Sequence, residues 1–230
     1  MDPRKLFADS RHAMCVFCGS EPKTREHVVS KILLDNPLPD DLPLVSSCHE
    51  CNNGFSRDEE YLACLLDCVL SGSFDPELVG RRKVAGALRH SPGLAARIAA
   101  GRLDHGKGSP VWTPEDQRVR NVLVKLARGH AAHQYSEPRL DEPERFFAGP
   151  LMRMSPQQRS VFERIPESPG WPEVGSRAFV NLLVMSGSVY SLDHSWTILQ
   201  RNRYRYAVAE PGELVVRIVL SEYLACEAVW

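Results

Sequence analysis

Two cysteine pairs with the same spacing place the strongest constraint on this chain. Cys15 and Cys18 form one Cys-x2-Cys pair, Cys48 and Cys51 form the other, and 29 residues separate the two pairs. Each pair sets two thiolates on one turn, and two such pairs complete a tetrahedral zinc site. Buried free thiols would not explain two identical spacings, and a redox site needs only one pair. The pattern therefore predicts a structural Zn²⁺ ion, with a small structured insert between the pairs.

The remaining three cysteines have a different setting. Cys64 and Cys68 lie four residues apart in an apolar stretch with helical periodicity, and Cys226 lies near the C-terminus. Cys64 and Cys68 are most simply core residues of a helix face, and Cys226 is also expected to be a core thiol. A second metal site at Cys64 and Cys68 is the alternative. Seven cysteines are an odd number, which suits a reducing compartment better than a set of disulfides.

No part of the sequence has the pattern of a membrane or export segment. No apolar run reaches the roughly 18 residues that a membrane-spanning helix needs. The first residues, MDPRKLFADSRHAM, contain no apolar core of a signal peptide. With 230 residues, 43% hydrophobic and 25% charged, the composition is that of a globular protein of one large or two small domains. We therefore expect a cytoplasmic protein without a membrane partner.

The secondary-structure pattern predicts an α+β protein. Residues 13–17 and 24–30 should be extended and residues 36–43 a loop. Helices are predicted from about Asn52 to Leu70, over 76–90 and 92–100, and after the capping sequence Thr113-Pro114-Glu115. The last of these helices carries an apolar stripe that includes Val119, Val122, Leu123, Leu126, His130 and His133.

The C-terminal part changes character. Residues 136–175 contain seven prolines and should form loops around one short helix, 155–165. Segments 177–184, 196–210 and 213–230 are rich in Val, Ile, Tyr and Trp, which predicts an antiparallel sheet with a turn at 210–213. We divide the chain into residues 1–70, a module around the zinc, and residues 71–230, a helical region followed by the sheet.

Three polar residues next to the cysteine pairs carry the chemistry. Glu26 and His27 lie between the pairs, and Asn52 directly follows Cys51, so zinc would bring these segments together. Glu and Asn supply oxygen ligands for Mg²⁺ or Mn²⁺, and a neutral His can take a proton from an attacking water. This set suits metal-assisted phosphodiester hydrolysis. Adjacent strand residues point to opposite faces, so Glu26 and His27 share a site only if the strand bends or both approach the phosphate from different sides.

The order Cys-x2-Cys, Glu-His, Cys-x2-Cys-Asn over about residues 13–68 resembles the HNH endonucleases with a zinc-stapled ββα-metal fold. The resemblance implies that His27 is the general base and that Glu26 and Asn52 bind the catalytic Mg²⁺ or Mn²⁺. It also implies cleavage of nucleic acid to a 5′-phosphate and a 3′-hydroxyl. Members of that family usually have a further Asn before the second cysteine pair, and here Asn36 or Asp41 could take its role.

Several other polar residues lie near these motifs. Arg25, Lys31 and Arg57 flank the proposed site and could bind phosphates, although each is as readily ordinary surface. Asp58, Glu59 and Glu60 are expected on the solvated face of a helix, with a supplementary metal ligand as the alternative. His49 is expected at the surface, and His194 in a turn between strands.

The net charge of −1 conceals an uneven distribution. Residues 1–67 contain 7 basic and 12 acidic residues, a net of −5, whereas residues 81–139 contain 12 basic and 4 acidic residues, a net of +8. Such a basic middle could supply nonspecific phosphate contacts. Arg118, Lys125 and Arg128 lie off the apolar stripe and are therefore predicted to be available to a ligand. The alternative is a set of ordinary solvated helix faces.

From the sequence we expect a metal-dependent endonuclease acting on nucleic acid, most simply DNA. Two alternatives stay open. The chain could be a catalytically silent zinc-containing adaptor that binds nucleic acid or protein. It could also be an effector nuclease that is activated by a partner or by homo-oligomerisation, with residues 71–230 as the regulatory or assembly part.

Overall fold

The cysteine pairs lie in a small unit of two strands and two helices. The computed structural model describes residues 12–40, 42–104, 110–166, 176–178 and 196–230. Strand β1 (Thr24–His27) pairs antiparallel with β2 (Leu44–Ser47), and helices α1 (His49–Gly54) and α2 (Ser56–Ser71) follow. Helix α2 ends at Gly72, whose φ of 70° is a left-handed conformation that glycine adopts without strain.

The predictions for this unit are partly confirmed. The helix expected from Asn52 to Leu70 is present, but it begins at His49 and is interrupted at Phe55. Residues 13–17 form a turn instead of a strand, and a short 3-10 helix, Lys31–Leu33, follows β1. Asn36 is exposed in the loop before β2, whereas Asp41 lies outside the described residues.

The middle of the chain is mainly helical, as predicted. Helix α3 spans Arg82–His90 and α4 spans Pro92–Ala100, so residues 76–81 precede the helix instead of belonging to it. Two short paired strands, β3 (Arg102–Leu103) and β4 (Val111–Trp112), lead to the 20-residue helix α5, Asp116–Tyr135. Its N-cap is Glu115, not the predicted Thr113.

The C-terminal part forms an antiparallel sheet of five strands in the order β5-β9-β8-β7-β6. The strands are β5 (Arg145–Pro150), β6 (Thr197–Gln200), β7 (Tyr204–Ala209), β8 (Val215–Leu220) and β9 (Leu224–Val229). The predicted sheet and its turn at 210–213 are confirmed by β6 to β9. Strand β5 was not predicted. Of the predicted strand 177–184, residues 179–184 lie outside the described part, as does His194, and Arg177 and Ala178 have helical backbone.

The proline-rich segment contains the short helix expected there. Helix α6 spans Pro156–Glu163 and starts with a capping box, in which Ser155 and Gln158 satisfy each other's backbone N–H groups. Arg217 of β8 donates to the carbonyls of Val161 and Phe162 at the end of this helix. The helix is thereby attached to the sheet.

Helix α5 connects the sheet with the N-terminal unit, which is the unit of strands β1 and β2 and helices α1 and α2 that contains the cysteine pairs. It contacts α2, β2 and strands β7, β8 and β9. The predicted apolar stripe is confirmed, because all six of its residues are buried. From Val122 onward the helix is buried on nearly every side. At Gly129 the helix backbone lies close to Val28, since a Cβ atom there would lie 2.8 Å from a methyl group of that valine.

The chain therefore has mixed helix and sheet, with antiparallel pairing between the strands described above and a four-cysteine cluster near the N-terminus. One hydrophobic core extends from Cys15 and Val28 through Leu123 to Ile218. The boundary at residue 70 stays a prediction. Within the part of the chain that the structure describes, no helix is both long and apolar enough to cross a membrane.

Candidate metal centre and the Glu26-His27 strand

The four cysteines predicted to bind zinc converge. The Sγ atoms of Cys15, Cys18, Cys48 and Cys51 all lie within 4.8 Å of one another, and those of Cys18 and Cys48 are 3.7 Å apart. A tetrahedral zinc ion with Zn–S bonds of about 2.3 Å requires sulfur atoms about 3.8 Å apart. The predicted four-cysteine cluster is confirmed, and its donor set fits Zn²⁺.

Local backbone geometry brings each pair to the cluster. Gly19, with a φ of 77°, lets the first turn close, and its N–H donates to the carbonyl of Cys15. In the second pair, Cys48 is the N-cap of α1 and its Sγ accepts from the N–H of Cys51 at 3.4 Å. Side-chain and backbone hydrogen bonding with Ser20 lowers the pKa of the Cys18 thiol to about 6. The more deeply placed Cys51 has a raised pKa because of burial.

The other three cysteines are core residues, as predicted. Cys64, Cys68 and Cys226 are fully buried. Burial raises the pKa of the Cys64 and Cys68 thiols to about 12, so both stay protonated at neutral pH. Among the residues described, the only group of metal-ligating side chains found is the cluster of four cysteines near the N-terminus.

Asn52 attaches α1 to the strand that carries Glu26 and His27. Its Nδ2 donates to Thr24 Oγ1 at 3.1 Å and to the carbonyl of Arg25 at 3.2 Å. Its backbone N–H donates to the carbonyl of Cys48. The residue after Cys51 is therefore held against β1 by two hydrogen bonds. These bonds use the amide nitrogen of Asn52 and leave its Oδ1 without a hydrogen bond among the described residues.

His27 ends β1 and is half-buried. Its Nδ1 is shielded from solvent and has no hydrogen-bond partner in the described part of the chain. The pKa of His27 is lowered, chiefly by burial and then by the positive charges of Lys31 and Lys125. The imidazole is therefore neutral at pH 7, the form that accepts a proton. No hydrogen bond joins it to Glu26 or Asn52 in the residues that the structure describes.

Glu26 has an environment that the sequence did not predict. Its Oε1 accepts a hydrogen bond from Lys125 Nζ at 2.8 Å, and Glu59 Oε1 accepts from the same nitrogen at 2.9 Å. The carbonyls of His27 and Val28 complete the shell at 3.0 and 3.2 Å. The Lys125 side chain is 0% exposed. Burial raises the pKa of Glu26, whereas Lys125 acts in the opposite direction.

Two sequence predictions are wrong at this point. Glu59 is buried, and Asp58 accepts hydrogen bonds from Arg118 and Asn121, so these residues do not form a solvated helix face. Lys125 was predicted to be available to a ligand, and it is instead fully buried. The helical pattern shows only that Lys125 lies off the apolar stripe. It does not show that a second element covers that side of α5.

The basic middle is also less available than predicted. Arg118 pairs with Asp58, and Arg128 donates to two loop carbonyls and to Glu142. Further pairs are Arg81–Asp35, Arg89–Glu77, Arg97–Glu115, Arg102–Asp104, Arg120–Glu142 and Arg139–Glu137. The acidic and basic segments therefore compensate each other partly within the fold, which reduces the positive surface that could bind a polyanion.

The three proposed phosphate-binding residues differ in exposure. Lys31 and Arg57 are exposed and form no ion pair with any described residue, whereas Arg25 is half-buried. His49, on the first turn of α1, is exposed as predicted, and His130 and His133 are buried as predicted. A role in phosphate binding stays a prediction for Arg25, Lys31 and Arg57.

Comparison with known proteins gives no relative. A scan against protein-family models, a search of curated proteins and a search of solved structures each found no match. The resemblance to HNH endonucleases therefore stays a prediction from the motifs.

The resemblance implies two protein ligands for a divalent metal, Asn52 and Glu26, and only one of them is suited to that role. Asn52 Oδ1 is a suitable oxygen ligand whose own amide group is anchored to β1. Glu26 does not fit in the same way, because its Oε1 already accepts a hydrogen bond from the buried ammonium of Lys125. Glu26 therefore does not serve as a ligand of this metal in the arrangement that the structure shows.

Proposed function

We propose that this chain hydrolyses phosphodiester bonds in nucleic acid, most simply DNA, at a centre around His27. The observation that carries the proposal is the attachment of Asn52 to β1. Two hydrogen bonds hold the residue after the last zinc cysteine against the strand that ends in Glu26-His27. The order of two strands and a helix next to the four-cysteine cluster supports this proposal.

His27 is the general base in this proposal. Burial and the nearby lysines keep the imidazole neutral near pH 7, so it can accept the proton of an attacking water. The buried Nδ1 has no partner among the described residues, and the opposite nitrogen is the one left to solvent. Lys31, four residues further on and exposed, supplies positive charge for a bound phosphate, together with Arg25 and Arg57.

The zinc has a structural role in this proposal. It would fix the turn before β1 and the start of α1, and thereby the position of Asn52 relative to His27. A reducing compartment such as the cytoplasm suits this site and the three core thiols. Dependence on Mg²⁺ or Mn²⁺ belongs to the proposal as well, with Asn52 as the protein ligand that is accessible and the substrate phosphate as a further oxygen donor.

The test is a cleavage assay with supercoiled plasmid, single-stranded DNA and RNA, each with Mg²⁺ or Mn²⁺. The wild type should cut, and His27→Ala should reduce the rate at least about 100-fold, as expected for the loss of a general base. His90→Ala is the matched control, because His90 is exposed at the end of α3. Cleavage by His27→Ala at the wild-type rate, or a wild type that cuts none of the substrates, would refute the proposal.

A silent adaptor is the second candidate, and the ion pair of Glu26 with Lys125 favours it. A carboxylate that is already paired with a buried ammonium is a poor ligand for an exchangeable metal. This candidate predicts binding of nucleic acid without turnover. Binding that stays unchanged in His27→Ala, together with intact substrate over long incubation, would support the adaptor.

A further inference from the structure

Lys125 Nζ has the surroundings of a bound cation. Four oxygen atoms lie 2.8 to 3.2 Å from it, two from the carboxylates of Glu26 and Glu59 and two from the carbonyls of His27 and Val28. Carboxylate and carbonyl oxygens are the donors that hard cations bind in proteins. Here the cation is the ammonium group of Lys125 on α5, which lies 99 residues after Glu26 in the sequence.

We propose that Lys125 is the built-in cation of the Glu26–Glu59 carboxylate pair and a positioning residue for His27. Glu26 is then a partner of Lys125 and not a ligand of an exchangeable divalent ion. The role at His27 rests on the function proposed above, whereas the role at the carboxylate pair does not. One ammonium between two carboxylates leaves one negative charge, and the pair is deeply placed, with side chains 12% and 8% exposed.

The surrounding contacts hold the ammonium in this place. The rings of Phe17 and Phe55 lie 5.9 and 6.0 Å from Nζ, close enough for cation–π attraction. One turn further along α5, Gly129 packs directly against Val28. A side chain in place of this glycine would push the helix away from β1, so the close contact keeps the Lys125 side chain within reach of the carboxylates.

Two of the four acceptors are the carbonyls of His27 and of the residue after it. The ammonium therefore fixes the backbone at the end of β1, where the imidazole of the proposed general base is attached. A side chain in a catalytic site has to be held to within a fraction of an ångström by the groups behind it. Lys125 contacts no reacting atom in this arrangement and acts through the position of His27.

The first experiment measures Mn²⁺ binding by calorimetry in the full-length protein. As a single substitution in a protein that keeps Lys125, Glu59→Gln should leave the affinity for Mn²⁺ unchanged, because Lys125 and not a metal occupies the carboxylate pair. Lys125→Met frees four oxygen ligands and should create a site at least about tenfold tighter than any in the wild type. Adding Glu59→Gln to Lys125→Met should abolish that site, whereas adding Glu60→Gln, on the same helix, should not.

Two results of this experiment would overturn the proposal. One is a wild type whose Mn²⁺ affinity falls at least tenfold in Glu59→Gln, since the carboxylates would then bind metal in the presence of Lys125. The other is a folded Lys125→Met variant without a new site. Neither result depends on turnover, so this proposal and the nuclease proposal can fail separately.

The second experiment needs no substitution and covers the case in which Lys125→Met does not fold. In protein labelled with ¹⁵N-lysine, the buried Lys125 ammonium should give a signal protected from exchange with water, which exposed lysines such as Lys83 lack. Saturating Mg²⁺ should leave this signal in place. The absence of a protected ammonium signal, or its loss on addition of Mg²⁺, would contradict the assignment.

The positioning role is tested on His27 itself. Lys125→Ala should shift the imidazole NMR signals of His27. n-Propylammonium, which replaces the missing atoms of the side chain, should move them back toward the wild-type positions, whereas n-propanol should not. Equal effects of the two compounds, or an unshifted His27, would show that Lys125 only fills space.

Discussion

The N-terminal unit contains two positions suited to a cation, and they differ in donors, depth and origin of the cation. The cysteine cluster has four soft sulfur donors, one of which belongs to the exposed Cys18, and it suits a Zn²⁺ ion taken up from solution. The second position has four hard oxygen donors in the interior and is filled by the ammonium of Lys125. A metal at the first position can be removed, whereas the cation at the second is covalently part of the chain.

This difference teaches how the parts of the fold are connected. The cysteine cluster closes a local loop, because all four ligands lie within residues 15–51. Lys125 makes a long-range connection that attaches α5 to β1 and α2. Arg203 of the loop before β7 makes a similar connection, since it donates to the buried Asp67 of α2 and to the carbonyl of Leu33. The cysteine cluster thus connects parts of the unit itself, and buried ion pairs attach the unit to the rest of the molecule.

The largest expected effect follows from the removal of one cysteine from the four-cysteine cluster. Cys48→Ser should remove the zinc and unfold the N-terminal unit, because binding of structural zinc contributes about 10–16 kcal/mol in zinc-finger peptides at pH 7. Metal analysis should find about one zinc per chain in the wild type and none in the variant, with a loss of helical circular dichroism. Cys64→Ala, which changes a buried thiol outside the cluster, should keep the zinc. A Cys48→Ser protein with full zinc and unchanged stability would contradict the assignment.

The next effect comes from the built-in cation. Lys125→Met leaves two buried carboxylates without their partner and should lower the free energy of unfolding by about 3–5 kcal/mol. Urea denaturation measures this change, and the zinc content should stay at the wild-type level. Lys83→Met, at an exposed position of α3, should change stability by less than about 0.5 kcal/mol. Equal stabilities of the two variants would show that the buried ammonium contributes nothing to folding.

A smaller change distinguishes the two carboxylates. Glu59→Gln keeps a hydrogen-bond acceptor for Lys125 but leaves Glu26 as the single carboxylate that neutralises the ammonium. We expect it to lower the free energy of unfolding by about 1–3 kcal/mol. Glu60→Gln on the same helix is the control and should be nearly neutral. The measurement is again urea denaturation at pH 7. A loss for Glu60→Gln that equals the loss for Glu59→Gln would exclude a specific role for the buried carboxylate.

The smallest effect concerns a buried side chain of α5 that stays uncharged. His130 is fully buried, stacks on Tyr206 and hydrogen-bonds Tyr204, and burial lowers its pKa well below 6.5. Below about pH 6.5 the unfolded chain therefore binds a proton that the folded protein does not. Stability contributed by neutral His130 is present above that pH and is lost as the pH falls, by up to about 1.4 kcal/mol per pH unit.

The pH dependence is measured by urea denaturation at pH 7 and pH 5. His130→Gln should show a smaller loss of stability on acidification than the wild type, and His90→Gln, at an exposed position, should follow the wild type. An unchanged pH dependence in His130→Gln would mean that His130 is protonated in the folded protein. Lys125 and His130, which lie five positions apart on α5, would then no longer differ in charge state.

Much of the fold follows from local sequence signals. The paired cysteines, the apolar stripe of α5, the end of α2 at Gly72 and the turn at 210–213 are all short-range patterns, and each is present in the structure. Strand β5 was missed because it lies in a proline-rich segment and pairs with β9, whose residues lie far along the chain. Local propensity does not record such a pairing.

The candidate site was predictable to a similar extent. The attachment of Asn52 to β1 follows from the short distance that the cysteine cluster imposes. The partner of Glu26 does not follow, because a lysine on the polar side of a predicted helix has the pattern of an ordinary surface residue. Its burial depends on how α5 packs between the N-terminal unit and the sheet, which is a property of the assembled fold.

The distance in sequence between Glu26 and Lys125 also has a consequence for biosynthesis. At about 5–20 residues per second, the ribosome adds the lysine roughly 5–20 seconds after the glutamate. All four cysteines have left the site of peptide bond formation well before that, so a growing chain can bind zinc while both carboxylates still face water. The N-terminal unit reaches its final electrostatic state only when α5 has been synthesised.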